Sequence, residues 1–453
     1  MLHNGYRKST RIRRCRANKR RGEQSMILLL VLADDFTGAL DTGVQFAAKG
    51  IETHVVVGEK VDFAACPGEV LVLDTETRHL PAAEAYALVK NLTARALAAG
   101  VAYLYKKTDS ALRGNIGAEL AAVLDASECR QLPFLPAFPQ MNRVTKNGIH
   151  YIDGVPVTRS PFGADPFAPV THATVTELLA EQTAALACSY SALQAEETPP
   201  QEPGILVFDA ESTGELTDTG TTLYNHGLLK IMAGCAGFAA VLPELLGLTG
   251  KAQSALPELD PRLLVVCGSV NPITLAQLNT AEAAGFSRLR LTPRQKLEPD
   301  YWPGTEGQKT LTEIEAMLAA NPRCIIETND AGGNGPTAEY AKTKGVDLKT
   351  LRRRVAGGLG QLVAALFPSP EVGTLLLTGG DTLLQCMNCL NLHELKPICE
   401  LANGVVLASF TYNGHIRHVI TKSGGFGQES ILVDLAARIT RQAAPTQYKE
   451  ETT

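Results

Sequence analysis

Two adjacent carboxylates, Asp34 and Asp35, are the first residues of this chain with the chemistry of a catalytic site. They follow eight consecutive apolar residues that begin at Met26, and such a run predicts a strand that is buried on both faces of a parallel sheet. Open α/β sheets bind their ligands at the carboxyl ends of these strands. We therefore interpret the two acids as groups that accept a proton or bind the hydroxyls of a substrate.

A second predicted strand ends in a group of cations and hydroxyl-binding side chains. These are Lys107, Thr108, Asp109 and Ser110, and Arg113 follows them before the next helical pattern. Arginine binds a carboxylate or a phosphate through two parallel hydrogen bonds, and aspartate and serine form hydrogen bonds with hydroxyls. The alternative is a helix N-cap flanked by surface charge, which would stabilise the helix by about 1 kcal/mol and bind no ligand.

A third polar strand end lies between these two in the sequence. The apolar segment Val70–Leu73 leads into Asp74, Thr75 and Thr77, and Arg78 follows. Because the carboxyl ends of neighbouring parallel strands meet at one edge of a sheet, the three polar ends should converge. Carboxylates and cations at one edge predict a pocket for a small polyhydroxy acid.

Three glycine turns in the second half of the chain have a different chemistry. Each lies between a strand-like segment and a helical pattern, at Gly268–Pro272, Gly379–Thr382 and Ser423–Gly427. The N–H groups and the positive dipole at a helix N-terminus favour a phosphate. One such glycine turn can serve tight packing alone, but three in one domain indicate a nucleotide. The sequence contains neither GxxxxGK[ST] nor GxGxxG, so this nucleotide would be bound by a less common arrangement.

Strand-like segments alternate with helical patterns, which predicts βαβ units and therefore a parallel sheet with helices on both faces. The predicted strands of the first half are Ile27–Leu32, Thr53–Val57, Val70–Leu73, Ala102–Lys106, Leu132–Leu135 and Ile205–Phe208. Those of the second half are Leu263–Cys267, Leu289–Leu291, Cys324–Thr328, Thr374–Leu377 and His415–Thr421. The main predicted helices of the first half are Ala39–Lys49, Ala82–Ala99 and Ile116–Leu124.

Two irregular segments interrupt this alternation. The proline-rich segment Pro136–Pro169 is too long for a simple connection and is expected to carry function. The polar segment Gln253–Arg262 indicates a junction between domains. We therefore predict an α/β fold of two domains, each with a largely parallel sheet flanked by helices, and a ligand site in the cleft between them. The predicted organisation is a basic, disordered extension (1–25), a sugar-acid-binding domain (26–252), a linker (253–262), a nucleotide-binding domain (263–441) and a disordered tail (442–453).

The composition argues against several classes of protein. The chain has 453 residues, 45% of them hydrophobic and 20% charged, which is typical of a globular protein with more than one domain. No apolar run reaches the roughly 20 residues of a membrane span. Ten cysteines without a secretory signal indicate a reducing compartment, and we expect a cytoplasmic protein. Residues 1–25 have a net charge of +8, and subtracting this from the formal −5 leaves about −13, which disfavours nucleic-acid binding by the remainder.

Six motifs occur in the order seen in the four-carbon acid sugar kinases, a family that this chain resembles from about Met26 to about Ile439. They are ADDFTGALD, KKTDSALRGN, the PAFP…NGIHYIDGVPVT loop, VVCGS-x-NPIT, LTGGDT and TKSGGFG. The resemblance implies a sugar-acid-binding domain followed by a nucleotide-binding domain. It also implies transfer of the γ-phosphoryl group of ATP to the 4-hydroxyl of a tetronate, with D-threonate and D-erythronate closer to this chain's motifs than 3-oxo-tetronate.

The resemblance also assigns roles to residues. For the substrate it implies contacts from Asp35, Arg78, Lys107, Thr108, Asp109 and Ser110, to which we add Asp34 and Arg113 from the polar strand ends. For ATP it implies contacts from Ser269, Gly379, Gly380, Asp381, Thr382, Gly424 and Gly425.

The leading hypothesis for the mechanism is phosphoryl transfer between the two domains. Arg78 and Lys107 would hold the substrate carboxylate, and Asp35, or alternatively Asp34, would accept the proton of the attacking hydroxyl. Mg²⁺ would bridge the phosphates of ATP, with Asp381 as a partner of its bound water. The sequence identifies no direct metal ligand.

Two other functions fit the same residues. The first is a sugar-acid dehydratase or aldolase that uses the carboxylates and Lys107 without a nucleotide. The second is a non-catalytic sugar-acid sensor whose basic N-terminal arm contacts DNA. Neither function needs three phosphate-binding turns. We expect no nucleic acid or membrane partner, and a homodimer is left open.

Overall fold

The computed structural model describes residues 27–66, 68–165, 168–194, 197–251, 256–333 and 335–443. The predicted extension at residues 1–25 and residues 444–453 of the predicted tail (442–453) lie outside the described residues, whereas residues 442 and 443 belong to the last helix. Within the described ranges, no helix is both long enough and apolar enough to cross a membrane.

The first half of the chain builds a parallel sheet with a small antiparallel sheet beside it. The strands are β1 (Leu29–Ala33), β2 (Thr53–Val57), β3 (Val70–Asp74), β4 (Tyr103–Lys107), β5 (Gln131–Leu135), β6 (Arg143–Lys146), β7 (Ile149–Ile152), β8 (Val155–Pro156), β9 (Ala187–Tyr190), β10 (Gly204–Phe208) and β11 (Ile231–Gly234). The parallel sheet has the order β2-β3-β1-β4-β11-β5-β10-β9, and β6-β7-β8 form the small sheet. All residues of β1, β3 and β10 are buried, as their apolar runs predict.

Helices cover both faces of the parallel sheet. They are α1 (Phe36–Ala47), α2 (Ala82–Ala98), α3 (Ile116–Ala126), α4 (Val175–Ala180), α5 (Thr213–Asn225), α6 (Ala236–Ala239) and α7 (Leu242–Leu245). The apolar side chains of α1, α5, α6 and α7 pack in one core, and those of α2, α3 and α4 pack in a second core on the opposite face. Short 3₁₀ helices at Pro139–Met141, Val157–Arg159 and Pro161–Ala164 flank the small sheet.

The second half of the chain has a parallel sheet extended by two antiparallel strands. Its strands are β12 (Leu263–Cys267), β13 (Ser287–Arg290), β14 (Arg323–Glu327), β15 (Thr374–Thr378), β16 (Glu394–Ala402), β17 (Val405–Tyr412) and β18 (His415–Lys422). The order is β13-β14-β12-β15-β18-β17-β16. The first five strands in this order are parallel to one another, and β17 and β16 extend the sheet by antiparallel pairing. Its helices are α8 (Pro272–Ala283), α9 (Pro293–Leu297), α10 (Thr305–Ala320), α11 (Gly335–Thr343), α12 (Leu348–Leu366), α13 (Gly380–Cys389) and α14 (Ile431–Ala443).

The sheets of the two halves are joined into one. Strand β16 pairs antiparallel with β2, so that Glu394 lies opposite Val56 and Leu395 opposite Val55. His54 Nδ1 and Glu394 Oε1 approach to 2.5 Å across the same junction. The result is a continuous 15-stranded sheet. The sequence does not predict this junction, because β16 carries charged residues and Pro397 instead of a continuous apolar run.

The α/β prediction is confirmed, and each of the eleven predicted strands overlaps an observed strand. The predicted loop Pro136–Pro169 contains the small sheet β6-β7-β8. Its strands have only two to four residues, which is too short for an alternating pattern to be recognised in the sequence.

Candidate active site

The three polar strand ends lie side by side, because β3, β1 and β4 are adjacent in the sheet. Ala33 at the end of β1 is in register with Asp74 of β3 and with Lys107 of β4. The polar side chains that follow these three positions therefore share one edge of the sheet, as the sequence predicts.

Asp34 is the buried member of an ion pair. Its side chain is 2% exposed, and its Oδ2 accepts a 2.7 Å hydrogen bond from Arg78 Nε. Burial alone would raise the pKa of Asp34, but Arg78, followed by Lys107 and Lys106, holds this pKa below its usual value. Asp34 thus holds Arg78 from the buried side of the site and has little access to a ligand.

Asp35 is the more accessible acid, with a side chain that is 20% exposed. Its two oxygens accept hydrogen bonds from Arg78 Nη1 and Nη2 at 2.8 and 2.7 Å. Oδ1 also accepts the Gly38 N–H at 3.0 Å and so caps the N-terminus of α1. One guanidinium therefore holds both acids, an arrangement that the sequence does not reveal. Direct contact between Arg78 and a substrate carboxylate stays a prediction.

Lys107 lies against the first turn of α1. A Cβ atom added to Gly38 would lie 2.8 Å from Lys107 Nζ and 2.5 Å from Asp35 Oδ1, so glycine leaves room for both side chains. Lys107 is buried, and among the described residues no carboxylate lies within ion-pair distance of its ammonium. Asp34 and Asp41 interact with this charge from beyond ion-pair distance, so the ammonium keeps donors with which it could bind an anionic substrate group.

Arginines hold the segment that follows β4. Both oxygens of Asp109 accept hydrogen bonds from Arg113, at 2.8 and 3.1 Å. Burial would raise the pKa of Asp109, but Arg113 and then Arg78 hold it well below its usual value. Arg113 also donates to Asp165 at 3.2 Å. Thr108 Oγ1 is buried and finds no hydrogen-bond partner among the described residues, so it has capacity left for a ligand.

The small sheet β6-β7-β8 supports the same segment from the side. Ser110 Oγ accepts a hydrogen bond from Arg143, and the carbonyl of Ser110 accepts one from His150 Nε2 at 3.0 Å. Because Nε2 must then carry the proton, Nδ1 accepts from Thr145 Oγ1 at 3.0 Å. Burial lowers the pKa of His150 to about 4, so the ring is neutral. The Arg143 guanidinium also lies 5.0 Å from the ring centre of Phe426 in the second half.

Sequence analysis gave no role to Arg143, and the only sign of one was its position inside the loop expected to carry function. Asp41 was also missed. This residue of α1 closes the motif ADDFTGALD and shares the site with Lys107 and Asp35. Burial raises the pKa of the Asp41 carboxyl to about 7; Lys107 opposes this rise, Asp35 and Glu400 add to it, and Arg143 opposes it.

The titration of Asp41 predicts a pH-dependent stability. The folded protein retains a proton that the unfolded chain releases near pH 3.8, so the contribution of Asp41 is complete below that pH and is lost as pH rises through about 7. The Asp41→Asn variant cannot ionise. Its free energy of unfolding relative to wild type should increase by roughly 1–3 kcal/mol between about pH 5 and about pH 8, measured by urea denaturation without ligand.

The matched control for this experiment is Asp218→Asn, at an exposed position of α5. Its free energy of unfolding should follow that of the wild type across the same pH range. A constant difference between Asp41→Asn and wild type would contradict the assigned titration.

A cavity of about 780 Å³ opens beside Arg78, between the two halves of the chain. Its lining includes Glu76 and His79 from the first half and Arg352 and Asp381 from the second. Burial raises the pKa of Glu76 to about 7. Burial, followed by the charge of Arg352, lowers the pKa of His79 to about 4, so this ring is neutral. The volume suits a small organic ligand.

The three glycine turns also meet, because β12, β15 and β18 are adjacent. A Cβ atom on Gly424 would lie 2.6 Å from Ser269 Oγ, and one on Gly425 would lie 3.5 Å from Asn271 Nδ2. The Gly379 N–H donates to the last carbonyl of β18 at 3.3 Å. The residues predicted to bind a nucleotide therefore lie on one contiguous surface.

Helix α13 presents its N-terminus to this surface. Gly379 precedes the helix with a φ of 102°, a conformation that favours glycine, and it offers no capping side chain. The first N–H groups of α13, at Gly380, Asp381 and Thr382, are thus without a side-chain cap and suit a phosphate. The Asp381 carboxylate points to Arg352, from which it accepts two hydrogen bonds. The Thr382 side chain is buried.

The polar strand ends of the first half and the glycine turns of the second half meet at Gly380. A Cβ atom on Gly380 would lie 3.0 Å from Thr37 Oγ1 and 3.7 Å from Asp35 Oδ2. The N-terminus of α13 therefore lies beside the N-terminus of α1, which Asp35 caps. The uncapped N-terminus of α13 thus lies next to the more accessible acid.

Comparison with known proteins agrees with a division of the chain into two parts. Residues 29–242 match the family described as a sugar-binding N-terminal domain, and residues 264–432 match the family described as a nucleotide-binding C-terminal domain.

Three curated relatives are similar over nearly their whole length. A D-threonate kinase of Bordetella bronchiseptica is 30% identical over 90% of this chain and 96% of its own. A D-threonate kinase of Salmonella typhimurium is 28% identical over 90% and 97%. A D-erythronate kinase of Heliobacterium modesticaldum is 27% identical over 88% and 94%.

The fold also occurs in solved structures. A crystal structure of a Salmonella typhimurium LT2 protein aligns with a TM-score of 0.71 at 19% identity, over 90% of this chain and 98% of the other. At this identity the likeness concerns the fold alone.

Proposed function

This chain belongs to the four-carbon acid sugar kinase family, and from that membership we propose that it transfers a phosphoryl group from ATP to the 4-hydroxyl of D-threonate or D-erythronate. The family follows from the matches over both halves of the chain. Kinase activity on a four-carbon acid sugar is the function that its relatives share. The preference for a tetronate with the D-threonate or D-erythronate configuration is supported by the names of the relatives reported above.

The observation that supports the proposal is the position of Gly380, where an added Cβ atom would lie 3.0 Å from Thr37 Oγ1 and 3.7 Å from Asp35 Oδ2. A kinase must bring the terminal phosphate of its nucleotide next to the attacking hydroxyl, with the reacting atoms within about 3–3.5 Å. An uncapped helix N-terminus beside a partly exposed carboxylate supplies both halves of this arrangement. A lyase or a sensor has no use for it.

The acceptor side of the site divides its tasks among few residues. Lys107, which has no carboxylate partner among the described residues, would hold the substrate carboxylate. Thr108 would bind a hydroxyl through its unpartnered Oγ1. Asp35 would accept the proton of the 4-hydroxyl, because Asp34 is almost fully buried. Arg78 would orient Asp35, with direct binding of the substrate as a second task.

The nucleotide side fits ATP. When bound, ATP supplies the phosphoryl group and Mg²⁺ neutralises part of the charge on its phosphates. Ser269, residues 379–382 and the pair Gly424-Gly425 would hold the phosphates. No group of three metal-ligating side chains occurs in the part of the chain that the structure describes. In kinases Mg²⁺ usually keeps several of its waters and is bound through substrate phosphates. Asp381 would act on this hydrated ion only after leaving Arg352.

The test is an ADP-release assay with the purified protein, ATP, Mg²⁺ and a panel of four-carbon acids. We expect turnover with D-threonate or D-erythronate, and slower turnover with L-threonate and 3-oxo-tetronate. The matched control substrate is 2,3-dihydroxybutanoate, which keeps the carboxylate and both inner hydroxyls but lacks the 4-hydroxyl. This control should release no ADP. For the acid that is turned over, phosphorus NMR of the product should show a phosphate ester on a CH₂ group. No ADP release with any acid of the panel would contradict the proposal.

The alternatives give different results in the same assay. A lyase would consume the acid without ATP. A sensor would bind the acid without turnover. The domain assignment to residues 26–252 and 263–441, a homodimer and a cytoplasmic location stay predictions.

Gly380→Val should weaken both ATP binding and turnover. The valine Cβ would lie 3.0 Å from Thr37 Oγ1, tighter than ordinary contacts, and its methyl groups would separate α13 from α1. We expect kcat/KM for ATP to fall by about 10²-fold or more. The control is Gly357→Val, because Gly357 is also helical but has no neighbour within 4 Å of an added Cβ. Normal ATP kinetics in Gly380→Val would remove the phosphate-binding role of this turn.

A further inference from the structure

Four lysines are buried in the described part of the chain: Lys106, Lys107, Lys296 and Lys422. Two of them have carboxylate partners. Lys106 Nζ lies 3.1 Å from Glu119, and Lys296 pairs with Asp330. Lys107 and Lys422 have no carboxylate within ion-pair distance among the described residues. Because a buried charge is stabilised by a counter-charge, the two unpaired lysines are suited to bind an anion.

Lys107 lies at the polar strand ends proposed to bind the sugar acid, and Lys422 lies at the surface of the three glycine turns proposed to bind the nucleotide. Lys422 is the last residue of β18 and is 2% exposed. Its carbonyl accepts the Gly379 N–H, and its ammonium donates one hydrogen bond, to the Ser423 carbonyl at 2.9 Å. Gly424, two residues after Lys422, lies against Ser269. Lys422 therefore stands where the three glycine turns meet.

No negative charge on the neighbouring strands compensates Lys422. Cys267 of β12 is the titratable group that acts on it, and burial raises the pKa of this thiol to about 12, so the thiol is neutral. The residues in register with Lys422 are Thr378 of β15 and Val405 of β17, neither of which carries a charge. Burial lowers the pKa of Lys422 itself to about 8, and a bound anion would reverse this shift.

We propose that the Lys422 ammonium binds the phosphate chain of ATP and is the cationic phosphate contact at the junction of the three glycine turns. The inference rests on the proposed kinase function and adds a binding residue to it. In this arrangement the neutral N–H groups of α13 and one lysine together hold the phosphates, in the absence of a GxxxxGK[ST] sequence. The site thus has an unpaired lysine on each side, Lys107 for the acid and Lys422 for the nucleotide.

The test compares Lys422→Met with Lys422→Arg by calorimetric titration of the full chain with ATP and Mg²⁺. We expect about 10- to 100-fold weaker ATP binding in Lys422→Met and a change of only a few fold in Lys422→Arg. In steady-state kinetics kcat/KM for ATP should fall, while KM for the sugar acid stays close to wild type. Wild-type ATP affinity should also decline above about pH 8 as the lysine loses its proton, and Lys422→Arg should lack this decline.

Thermal unfolding without nucleotide separates binding from a structural role. Removing an unpaired buried charge should leave the midpoint of Lys422→Met equal to or above that of wild type. The matched control is Lys296→Met, which removes a paired buried lysine and should lower the midpoint. Wild-type ATP affinity in Lys422→Met, a midpoint as low as that of Lys296→Met, or failure of the variant to fold would each overturn the assignment. If the wild-type protein itself binds no ATP, the proposed function fails instead.

Discussion

Asp35→Asn should lose turnover of its four-carbon acid by a factor of at least about 10²–10⁴ in kcat, the range that a general base contributes. Asparagine keeps an oxygen that can accept the Gly38 N–H, so the cap of α1 survives. It cannot accept a proton, and it loses one of the two hydrogen bonds from Arg78. ATP affinity should stay within a few fold of wild type, since the glycine turns are unchanged. The measurements are an ADP-release assay and calorimetric titration with ATP and Mg²⁺.

The matched control is Asp62→Asn. Asp62 is exposed and accepts a backbone N–H at 3.0 Å from Ala64, so this change removes a charge from a similar local hydrogen bond far from the site. Its kinetics should equal those of wild type. Turnover of Asp35→Asn near the wild-type rate would exclude Asp35 as the base.

Arg78→Met should destabilise the fold by about 3–5 kcal/mol at neutral pH, the range found when one partner of a buried ion pair is removed. Arg78 donates to both Asp34 and Asp35, and Asp109 lies 3.6 Å from its Nη2. Without the guanidinium, the Asp34 charge is left buried with no hydrogen-bond donor in the described structure. The measurement is urea denaturation of the variant and wild type.

The same experiment has a predicted pH dependence. Asp34 has a lowered pKa in the folded protein, so its stabilising contribution is present above the unfolded value of 3.8 and is lost as pH falls through the folded value. In Arg78→Met the acid can relieve its burial only by taking up a proton. The stability deficit should therefore be largest near pH 7 and should shrink toward about pH 4.

Arg294→Met is the matched control for Arg78→Met. Arg294 also pairs with two carboxylates, Glu298 and Glu306, but its side chain is 51% exposed. Exposed pairs of this kind contribute little to stability because solvent screens the two charges, so Arg294→Met should be about as stable as wild type. An equally small effect of Arg78→Met would mean that the buried ion pair is dispensable for the fold.

Much of the acceptor site follows from the order of residues along the chain. The apolar runs of β1, β3 and β4 predict buried parallel strands, and the polar residues after them fall at one edge because parallel strands end on the same side. The three glycine turns are predicted in the same way. These features are local, since each depends on a strand and the few residues that follow it.

Pairing between charges could not be predicted in this way. Arg78 reads as a free cation in the sequence, whereas in the fold it is shared by two acids, one of them 44 residues away. Lys107 and Lys422 look no different from Lys106 and Lys296 until their neighbours are known. Arg143 and Asp41 enter the site from a small sheet and from the second turn of a helix, where no strand end marks them.

The sequence by itself determined the α/β class, the polar strand ends and the glycine turns, because apolar periodicity and strand-to-turn spacing act over a few residues. Only the tertiary structure decided which charges are neutralised, how β16 joins the two sheets, and that Gly380 meets Asp35. The physical reason is that burial and charge pairing depend on distances through space between residues far apart in the chain. The chemistry of Asp34 and Asp35 could therefore be predicted from the sequence. Which of the two acids is buried against Arg78 and which is accessible could not.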